Sequence, residues 1–265
     1  MYRIIIPFFL FVIPGRAQTG IKTIKEKQQA IVEEYADNCA QKHHYFSSEW
    51  QDCLDAGLKI DPTIAYLWQQ KAMPRFKQRK YELGMIDLDR AVMYDRERYL
   101  DYRAFIKCIF SKNYRDALKD FSDCKKEYGN RYVMDHTYDF YIALCYLQLN
   151  EFDEAEKLLT NYINDMQQKN GEDWVHPNAL FYLGICKYEK KKYDEALVVF
   201  DRALKIYAEF SDVKYYKTII LMEQGKEQEA KSLFKEARAN AKSGFTINED
   251  NAVYETYPYQ VMWPK

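Results

Sequence analysis

The chain has 265 residues and a formal net charge of -1 at pH 7, because 39 Lys and Arg residues nearly balance 40 Asp and Glu residues. Charges of both signs are mixed along the chain, which excludes the concentrated basic face of a nucleic-acid-binding protein. The hydrophobic share of 48% supplies a sizeable buried core, and only 9 Gly and 7 Pro occur. Alternating β-type runs do not stand out before the C-terminus, so the sequence predicts an all-α protein.

The N-terminus has the pattern of a secretory signal peptide. Arg3 precedes a ten-residue apolar run at positions 4–13. Gly15 and Ala17 then provide the small residues that a signal peptidase requires, so we expect a cut after Ala17 that removes residues 1–17. A run of ten is short for a bilayer span, which usually takes about 20 residues. The mature protein is therefore expected to be exported, periplasmic or secreted, with an uncleaved anchor as the alternative.

Two of the six cysteines lie where a disulfide is possible. Cys39 and Cys53 reach similar heights on two antiparallel helices if a turn falls near residues 45–48, although the sequence does not decide whether they bond. Cys39 and His43 share a helix face, but a third and a fourth metal ligand are missing, so no metal site is expected there. The other four cysteines occupy helical positions and are expected to be buried thiols: Cys108, Cys124, Cys145 and Cys186.

One amphipathic helical pattern recurs along the chain. In the stretch KKKYDEALVVFDRALKIY, residues 190–207, the small residues Ala196 and Ala203 lie seven apart with Phe200 between them. Such a stripe of small and large residues lets a neighbouring helix pack closely against that side. Each copy follows another amphipathic helix, which is its predicted packing partner. The aligned small residues recur 33 to 41 positions apart, at Gly84, Ala117, Ala155, Ala196 and Ala230.

The pattern resembles the tetratricopeptide repeat, a helix–turn–helix unit of 34 residues. The shared features are an aromatic residue that opens the second helix, a small residue three positions later and a large apolar residue four beyond that. In residues 190–207 these are Tyr193, Ala196 and Phe200. The resemblance implies a right-handed α-solenoid of about six repeats, with a degenerate first repeat in residues 18–62 and more regular repeats in residues 63–244.

Convergent catalytic groups are not evident in the sequence. Motifs of the GxSxG and HExxH types and a phosphate-binding loop do not occur. His136 and His176 each precede a predicted helix beside a polar loop, so capping or solvent contact is the expected role of both. The sequence therefore predicts a protein without enzymatic activity, catalytic residues, cofactor or metal.

The resemblance implies that the first helices of the repeats line a concave groove. The residues that it places in this groove are mostly aromatic: Gln69, Phe76, Tyr102, Phe140, Phe181, Tyr188 and Tyr215. An open groove this apolar is unusual in water unless a ligand covers it, so these residues form the predicted partner-binding surface. The alternative is that many of them pack between neighbouring repeats. A Lys–Asn pair, with which some members of the family clamp a terminal carboxylate, is missing from this lining.

Residues 245–265 form an extended aromatic tail. The helical pattern stops after Lys242, and from Tyr254 onward the apolar residues alternate with a period of two. Pro258 is incompatible with a helix interior. At about 3.3 Å per residue, the tail is long enough to double back over several repeats. We expect it to be ordered, either as a cap on the open apolar face of the last repeat or as an occupant of the concave groove.

These features predict a non-catalytic protein–protein interaction scaffold of the cell envelope. Its partner would be a protein or peptide in the apolar groove, with no nucleic acid bound and no integral membrane span after signal cleavage. One alternative is a structural subunit of an envelope assembly that uses convex or end surfaces. A metal-binding or enzymatic protein with its site in the irregular first repeat is the less favoured alternative. The fold does not identify the partner.

Cleavage of the signal predicts that the protein isolated from its native host begins at Gln18, because the cut follows Ala17. N-terminal sequencing or an intact-mass measurement of the soluble mature pool tests this expectation. A soluble pool that retains Met1 would contradict it.

Overall fold

The computed structural model of the protein describes residues 16–264, which are mostly helical and form consecutive packed helix pairs. Twelve α-helices occur in this range: α1 (Arg16–Val32), α2 (Ser48–Ile60), α3 (Ala65–Lys77), α4 (Tyr81–Tyr94), α5 (Arg96–Ile109), α6 (Tyr114–Tyr128), α7 (Tyr138–Gln148), α8 (Phe152–Asn170), α9 (Pro177–Glu189), α10 (Tyr193–Ile206), α11 (Ser211–Glu223) and α12 (Glu227–Lys242). Five regular pairs follow an irregular first unit: α3/α4, α5/α6, α7/α8, α9/α10 and α11/α12. The predicted all-α solenoid is confirmed. We call the side formed by the first helices of these pairs the inner face.

The predicted signal peptide falls mainly outside the described residues, which begin at Arg16 in α1. Cleavage and export therefore stay predictions. Between residues 16 and 264, none of the helices combines the length and the apolar character that a membrane span requires.

The irregular first unit contains a disulfide between Cys39 and Cys53, with Cα atoms 5.7 Å apart. α1 continues into a π-helical turn, Glu33–Asp37, and a 3-10 turn, Ala40–Lys42, follows before α2 begins. Cys39 lies between these two turns and Cys53 lies in α2, so the bond ties the irregular segment to the helix that follows it. The structure thereby answers a question that the sequence left open. The remaining four cysteines are buried free thiols, as expected: Cys108, Cys124, Cys145 and Cys186.

Small residues set the distance between the two helices of a pair. A Cβ atom added to Gly184 in α9 would lie 2.3 Å from Cε1 of Phe200 in α10, so only glycine lets this ring approach the backbone of α9. The repeat register predicted from the sequence is confirmed by the complete burial of four small residues in the second helices: Ala117, Ala155, Ala196 and Ala230.

Every regular pair has a residue of left-handed conformation in the turn between its two helices. These residues have φ between 55° and 73° and recur with the repeat spacing: Arg79, Lys112, Asn150, Lys191 and Gly225. In the α9/α10 pair, Lys192 N donates to Lys187 O across the turn at 2.9 Å, which satisfies a carbonyl at the end of the helix. Only one of the five is glycine, so glycine spacing does not reveal these turns.

Two connections between pairs are longer than the others, as the repeat spacing predicts. A short antiparallel hairpin of β1 (Tyr132–Val133) and β2 (His136–Thr137) precedes α7. α8 has 19 residues, and a 3-10 turn at Glu172–Trp174 leads from it to α9. The sequence did not indicate the hairpin, which brings the fully buried His136 to the edge of the inner face.

We predict that Gly184→Ala lowers the free energy of unfolding by about 1–3 kcal/mol, because the new methyl group overlaps the Phe200 ring. Urea unfolding measures the loss as a shift of the midpoint at unchanged slope. Gly84→Ala is the matched control, since its Cβ would meet the Phe76 ring at 3.0 Å and the preference of helices for alanine offsets part of the strain. Equal losses in the two variants would contradict the packing described for Gly184.

Candidate functional site

The tail, residues 245–264, folds back from α12 onto the inner face. Its first contact is with the start of α11, where Ser211 N donates to Phe245 O at 3.0 Å. Two residues later, Ile247 N donates to the carboxylate of Asp212 at 3.1 Å. The Ile247 side chain is buried in the main apolar core. The tail therefore begins on the last helix pair, beside the helix that it has just left.

Glu249 connects the tail to two earlier pairs. Its Oε1 lies 2.9 Å from Nε2 of His136, just before α7, and accepts a hydrogen bond of 2.7 Å from Nδ2 of Asn178 in α9. A 3-10 turn, Asp250–Val253, follows directly. Between Ile247 and Glu249, the tail therefore passes from the start of α11 to the starts of α9 and α7.

The tail reverses its direction at the first two regular pairs. The Glu255 carboxylate accepts a hydrogen bond from Tyr81 OH at the start of α4 and lies 3.6 Å from Nε of Arg79. In the turn after α5, Lys112 Nζ donates to the carbonyl of Thr256. The contacts of the tail therefore extend from the α11/α12 pair to the α3/α4 pair.

The returning arm runs back toward the last pair. Tyr257 is buried in the main core, and Tyr259 has a φ of 58°. The Tyr259 hydroxyl donates to the Glu189 carboxylate in α9 at 2.8 Å. Val261 N then donates to Oδ1 of Asp212 at 2.7 Å. The tail therefore extends from the start of α11 along the repeats and returns to the start of α11.

The end of the tail covers the last pair. The Trp263 ring lies 5.6 Å from the Tyr215 ring in α11 and 6.1 Å from the Phe234 ring in α12, measured between centroids. Phe234 remains 40% exposed in this contact. Both expected positions of the tail therefore occur together, along the inner face and over the final pair. The predicted continuous period-two segment is wrong, since the left-handed residue Tyr259 interrupts it.

Asp212 binds both arms of the tail with one carboxylate. Oδ2 accepts from Ile247 N in the outgoing arm, and Oδ1 accepts from Val261 N in the returning arm. The side chain is fully buried. Burial raises the pKa of Asp212 to about 6, although the two backbone donors act in the opposite direction. At neutral pH the carboxylate is ionised, which suits an acceptor of two N–H groups.

Glu249 and His136 form a buried polar contact, with side-chain exposures of 1% and 0%. Burial raises the pKa of Glu249, but the contacts with His136 and Asn178 outweigh this effect, and the pKa is lower than its ordinary value. The His136 ring stacks on Phe140 with centroids 3.7 Å apart, and its Nδ1 lies 3.2 Å from Tyr162 OH. The expectation that His136 caps a helix or meets solvent is wrong, because the hairpin and the tail enclose it.

His176 caps α9, as the sequence predicts. Its Nδ1 accepts a hydrogen bond of 3.2 Å from Asn178 N. Burial, together with the neighbouring His136, lowers the pKa of His176 to about 4, so that the ring is neutral at pH 7. The two imidazole rings meet edge to face with centroids 4.7 Å apart.

Three residues predicted to line the groove belong to the core instead. Phe76, Phe140 and Phe181 are fully buried. The Phe181 ring lies 6.3 Å from Phe200 and 5.5 Å from Phe210, so it fills the space between helices. The predicted exposed aromatic lining therefore needs correction at these three positions. Their rings stabilise the packing of the pairs and offer no open surface to a partner.

Tyr188 and Tyr215 lie at the inner face beside the tail. Tyr215 packs on Trp263, as described above. Tyr188 contacts Tyr216 with ring centroids 5.6 Å apart, and Tyr216 in turn contacts Tyr259 of the tail at 6.1 Å. In this part of the predicted groove, the chain's own C-terminal segment is the occupant.

Gln69 and Tyr102 line the part of the inner face that the tail leaves uncovered. They belong to a cleft of about 300 Å³ between the starts of α3 and α5 and the β-hairpin. The cleft is rich in tyrosine, and its complete lining is Tyr66, Gln69, Arg98, Tyr99, Asp101, Tyr102, Tyr132, Val133 and Met134. Among the described residues, the buried Tyr99 hydroxyl finds no hydrogen-bond partner. We call this surface the tyrosine cleft.

Residues 135–209 match the family model of the tetratricopeptide repeat. This part of the chain contains tetratricopeptide repeats. The matched range includes the α7/α8 and α9/α10 pairs of the solenoid, where Gly184 meets Phe200. A search of curated proteins finds no match to the sequence.

Solved structures share the tetratricopeptide-repeat fold. A tetratricopeptide repeat protein from Parabacteroides merdae is 16% identical with a TM-score of 0.65, over 81% of this chain and 80% of that one. PilW, described as a widely conserved type IV pilus biogenesis factor, is 15% identical with a TM-score of 0.56, over 87% and 95% of the two chains. PilF from Pseudomonas aeruginosa is 14% identical with a TM-score of 0.56, over 83% and 93%. At these identities the similarity shows the fold alone.

Sequence reasoning missed the acidic residues that position the tail on the helical repeats. In the sequence, Asp212 resembles an ordinary acidic residue in the first turn of a helix, where its negative charge interacts favourably with the helix dipole. Glu249 lies in a polar stretch with no periodic signal. Of these two residues, only Asp212 could have been suspected from the sequence, because it lies in the first helix of its pair, and the first helices form the inner face.

We predict that Asp212→Asn loosens both arms of the tail, because an amide offers one acceptor oxygen where the carboxylate offers two. Loss of a buried hydrogen bond to a charged group costs about 1.5–3 kcal/mol, so amides in residues 245–264 should exchange roughly 10- to 100-fold faster. Hydrogen exchange followed by mass spectrometry measures this. Asp201→Asn, an exposed acid paired with Lys217, is the control and should leave the tail unchanged. Tail amides that exchange like a random coil in the unaltered protein would contradict the described contacts.

Proposed function

We propose that the protein is a non-catalytic interaction scaffold of the cell envelope that binds a protein or peptide partner on its inner face. Tetratricopeptide-repeat proteins are generally scaffolds for protein–protein interaction, and the solenoid presents a continuous surface for this purpose. The observation that carries the proposal is the tyrosine cleft, which stays open while the tail covers the neighbouring part of the inner face.

The lining of the tyrosine cleft suits contact with a protein or peptide. Tyrosine and arginine are enriched in the centres of protein interfaces, because they combine a large apolar area with a polar group. Tyr132 and Met134 are exposed at the rim, and Gln69 and Arg98 supply polar groups.

The tail supports a peptide mode of binding on the same face. The inner face holds this segment through backbone N–H groups at Asp212 and through a buried carboxylate at His136 and Asn178. These contacts recognise an extended chain and do not require a helix.

The predicted signal peptide supports the envelope as the location. The apolar run at positions 4–13 and the small residues before Gln18 predict a cleaved signal. The Cys39–Cys53 disulfide is consistent with an oxidising compartment, in which such bonds persist.

A second candidate function is assembly through the convex surface. On α4, Leu83, Ile86 and Met93 are 49%, 60% and 65% exposed. Their spacings of three and seven residues place them on one helix face, which forms an apolar stripe on the side away from the tail. This stripe favours a structural subunit of an envelope assembly as the alternative, since such a surface suits contact with another protein.

Three variants, each with a photo-crosslinking amino acid at one position and each expressed in the native host, distinguish the two proposed functions. Tyr132 reports on the tyrosine cleft, Ile86 on the α4 stripe, and the exposed Val198 on α10 is the matched control. We expect one defined adduct from the Tyr132 position and none from the Val198 position, because a partner in the cleft lies within reach of only the first. Mass spectrometry identifies the adduct.

An adduct from the Ile86 position alone would contradict binding in the tyrosine cleft and support assembly through the α4 stripe. Equal adducts from Tyr132 and Val198, or no adduct from Tyr132, would contradict partner binding in the cleft.

A further inference from the structure

His136, His176 and Glu249 bring three metal-ligating side chains together where the tail crosses the starts of α7 and α9. One possible ligand atom from each of them lies within 4.8 Å of the other two. His136 and Glu249 are buried and His176 is partly buried. The other His/Cys group in the described residues, Cys39, His43 and Cys53, differs in that its two sulfur atoms are bonded to each other.

We propose that His136, His176 and Glu249 form a site for Zn²⁺ or a similar divalent transition-metal ion, which ties the tail to two helix pairs. Two imidazole nitrogens and one carboxylate oxygen are a ligand set that zinc accepts. Nε2 of His136 and Oε1 of Glu249 are 2.9 Å apart. Two ligand atoms on a tetrahedral zinc at about 2.0–2.1 Å are separated by about 3.3 Å, so a small shift of the side chains suffices.

Unpartnered oxygen atoms around the cluster are a second, independent observation. Asn178 Oδ1 is buried without a hydrogen-bond partner among the described residues, while the other end of the same amide donates to Glu249. The hydroxyl groups of Tyr141 and Tyr182 are buried and unpartnered as well, and the charge of Glu249 acts on both. Buried polar atoms of this kind call for an ion or ordered water, and Asn178 Oδ1 is a candidate fourth ligand.

Charge balance favours a cation at this place. Within residues 16–264, Glu249 has no Lys or Arg in contact, and its side chain is 1% exposed. A buried carboxylate without a counter-charge is costly. A dication bound by the cluster would supply this counter-charge.

The hydrogen-bond partners of the two rings indicate which nitrogen atoms would bind a metal ion. Nδ1 of His136 lies next to Tyr162 OH, so a proton on Nδ1 leaves Nε2 free to ligate and gives the ring a hydrogen-bonded support. His176 now caps α9 through Nδ1. Ligation by this ring ends the cap bond, because Nδ1 either binds the metal itself or takes up the proton that leaves Nε2. Metal binding therefore exchanges a helix cap for a bond between the tail and the repeats.

The test begins with full-length protein from which a chelator has removed bound metal. This protein is titrated with Zn²⁺, followed by calorimetry, and separately with Co²⁺, followed by absorption spectroscopy. We expect one equivalent to bind, a tetrahedral Co²⁺ spectrum, and slower hydrogen exchange of residues 245–264 when zinc is present. Glu249→Gln keeps the shape of the side chain, and His176→Asn keeps a residue that caps helices well. Each should weaken binding by at least about 10–100-fold, the loss seen on removing an outer-shell partner of a metal ligand.

His43→Asn in the first unit is the matched control, because it removes an exposed histidine far along the chain from the cluster. It should leave the affinity unchanged. The absence of saturable zinc binding by the folded protein would overturn the proposal and leave the direct contact between His136 and Glu249. Binding that survives both Glu249→Gln and His176→Asn, or that disappears in His43→Asn, would overturn it as well.

Discussion

A buried carboxylate with two backbone donors determines how the C-terminal segment folds. Asp212 lies at the start of α11, and it accepts one N–H from the outgoing arm and one from the returning arm of the tail. Displacement of either arm would leave one carboxylate oxygen of the buried Asp212 without its donor, which costs more than the bond itself contributes. The position of the tail then decides which part of the inner face is covered and which part stays open as the tyrosine cleft.

The repeat architecture was predictable because its determinants are local. A small residue, an aromatic residue and a large apolar residue at fixed spacing, such as Ala196, Tyr193 and Phe200, specify one helix face, and their recurrence specifies the stack. The turns between paired helices were not predictable from residue type. Lys191 adopts a left-handed conformation because the backbone hydrogen bond that closes the helix requires it, although lysine has no preference for it.

The site was only partly predictable, because its contacts join distant parts of the chain. Gln69 and Tyr102 do line an open cleft, whereas Phe140 is a core residue that stacks on His136. The partners His136 and Glu249 are 113 residues apart and belong to no shared periodic pattern. The sequence could therefore place the tail on the last repeat or along the groove, and only the three-dimensional contacts show that it does both.

The central claim is that the tail returns along the inner face and packs on α11. Aromatic nuclear Overhauser effects test it most directly, since the Tyr259 ring of the tail and the Tyr216 ring of α11 are 6.1 Å apart between centroids. The Tyr188–Tyr216 pair, 5.6 Å apart and independent of the tail, provides an internal control. We predict cross-peaks for both pairs. A cross-peak for Tyr188–Tyr216 together with none for Tyr259–Tyr216 would contradict the account.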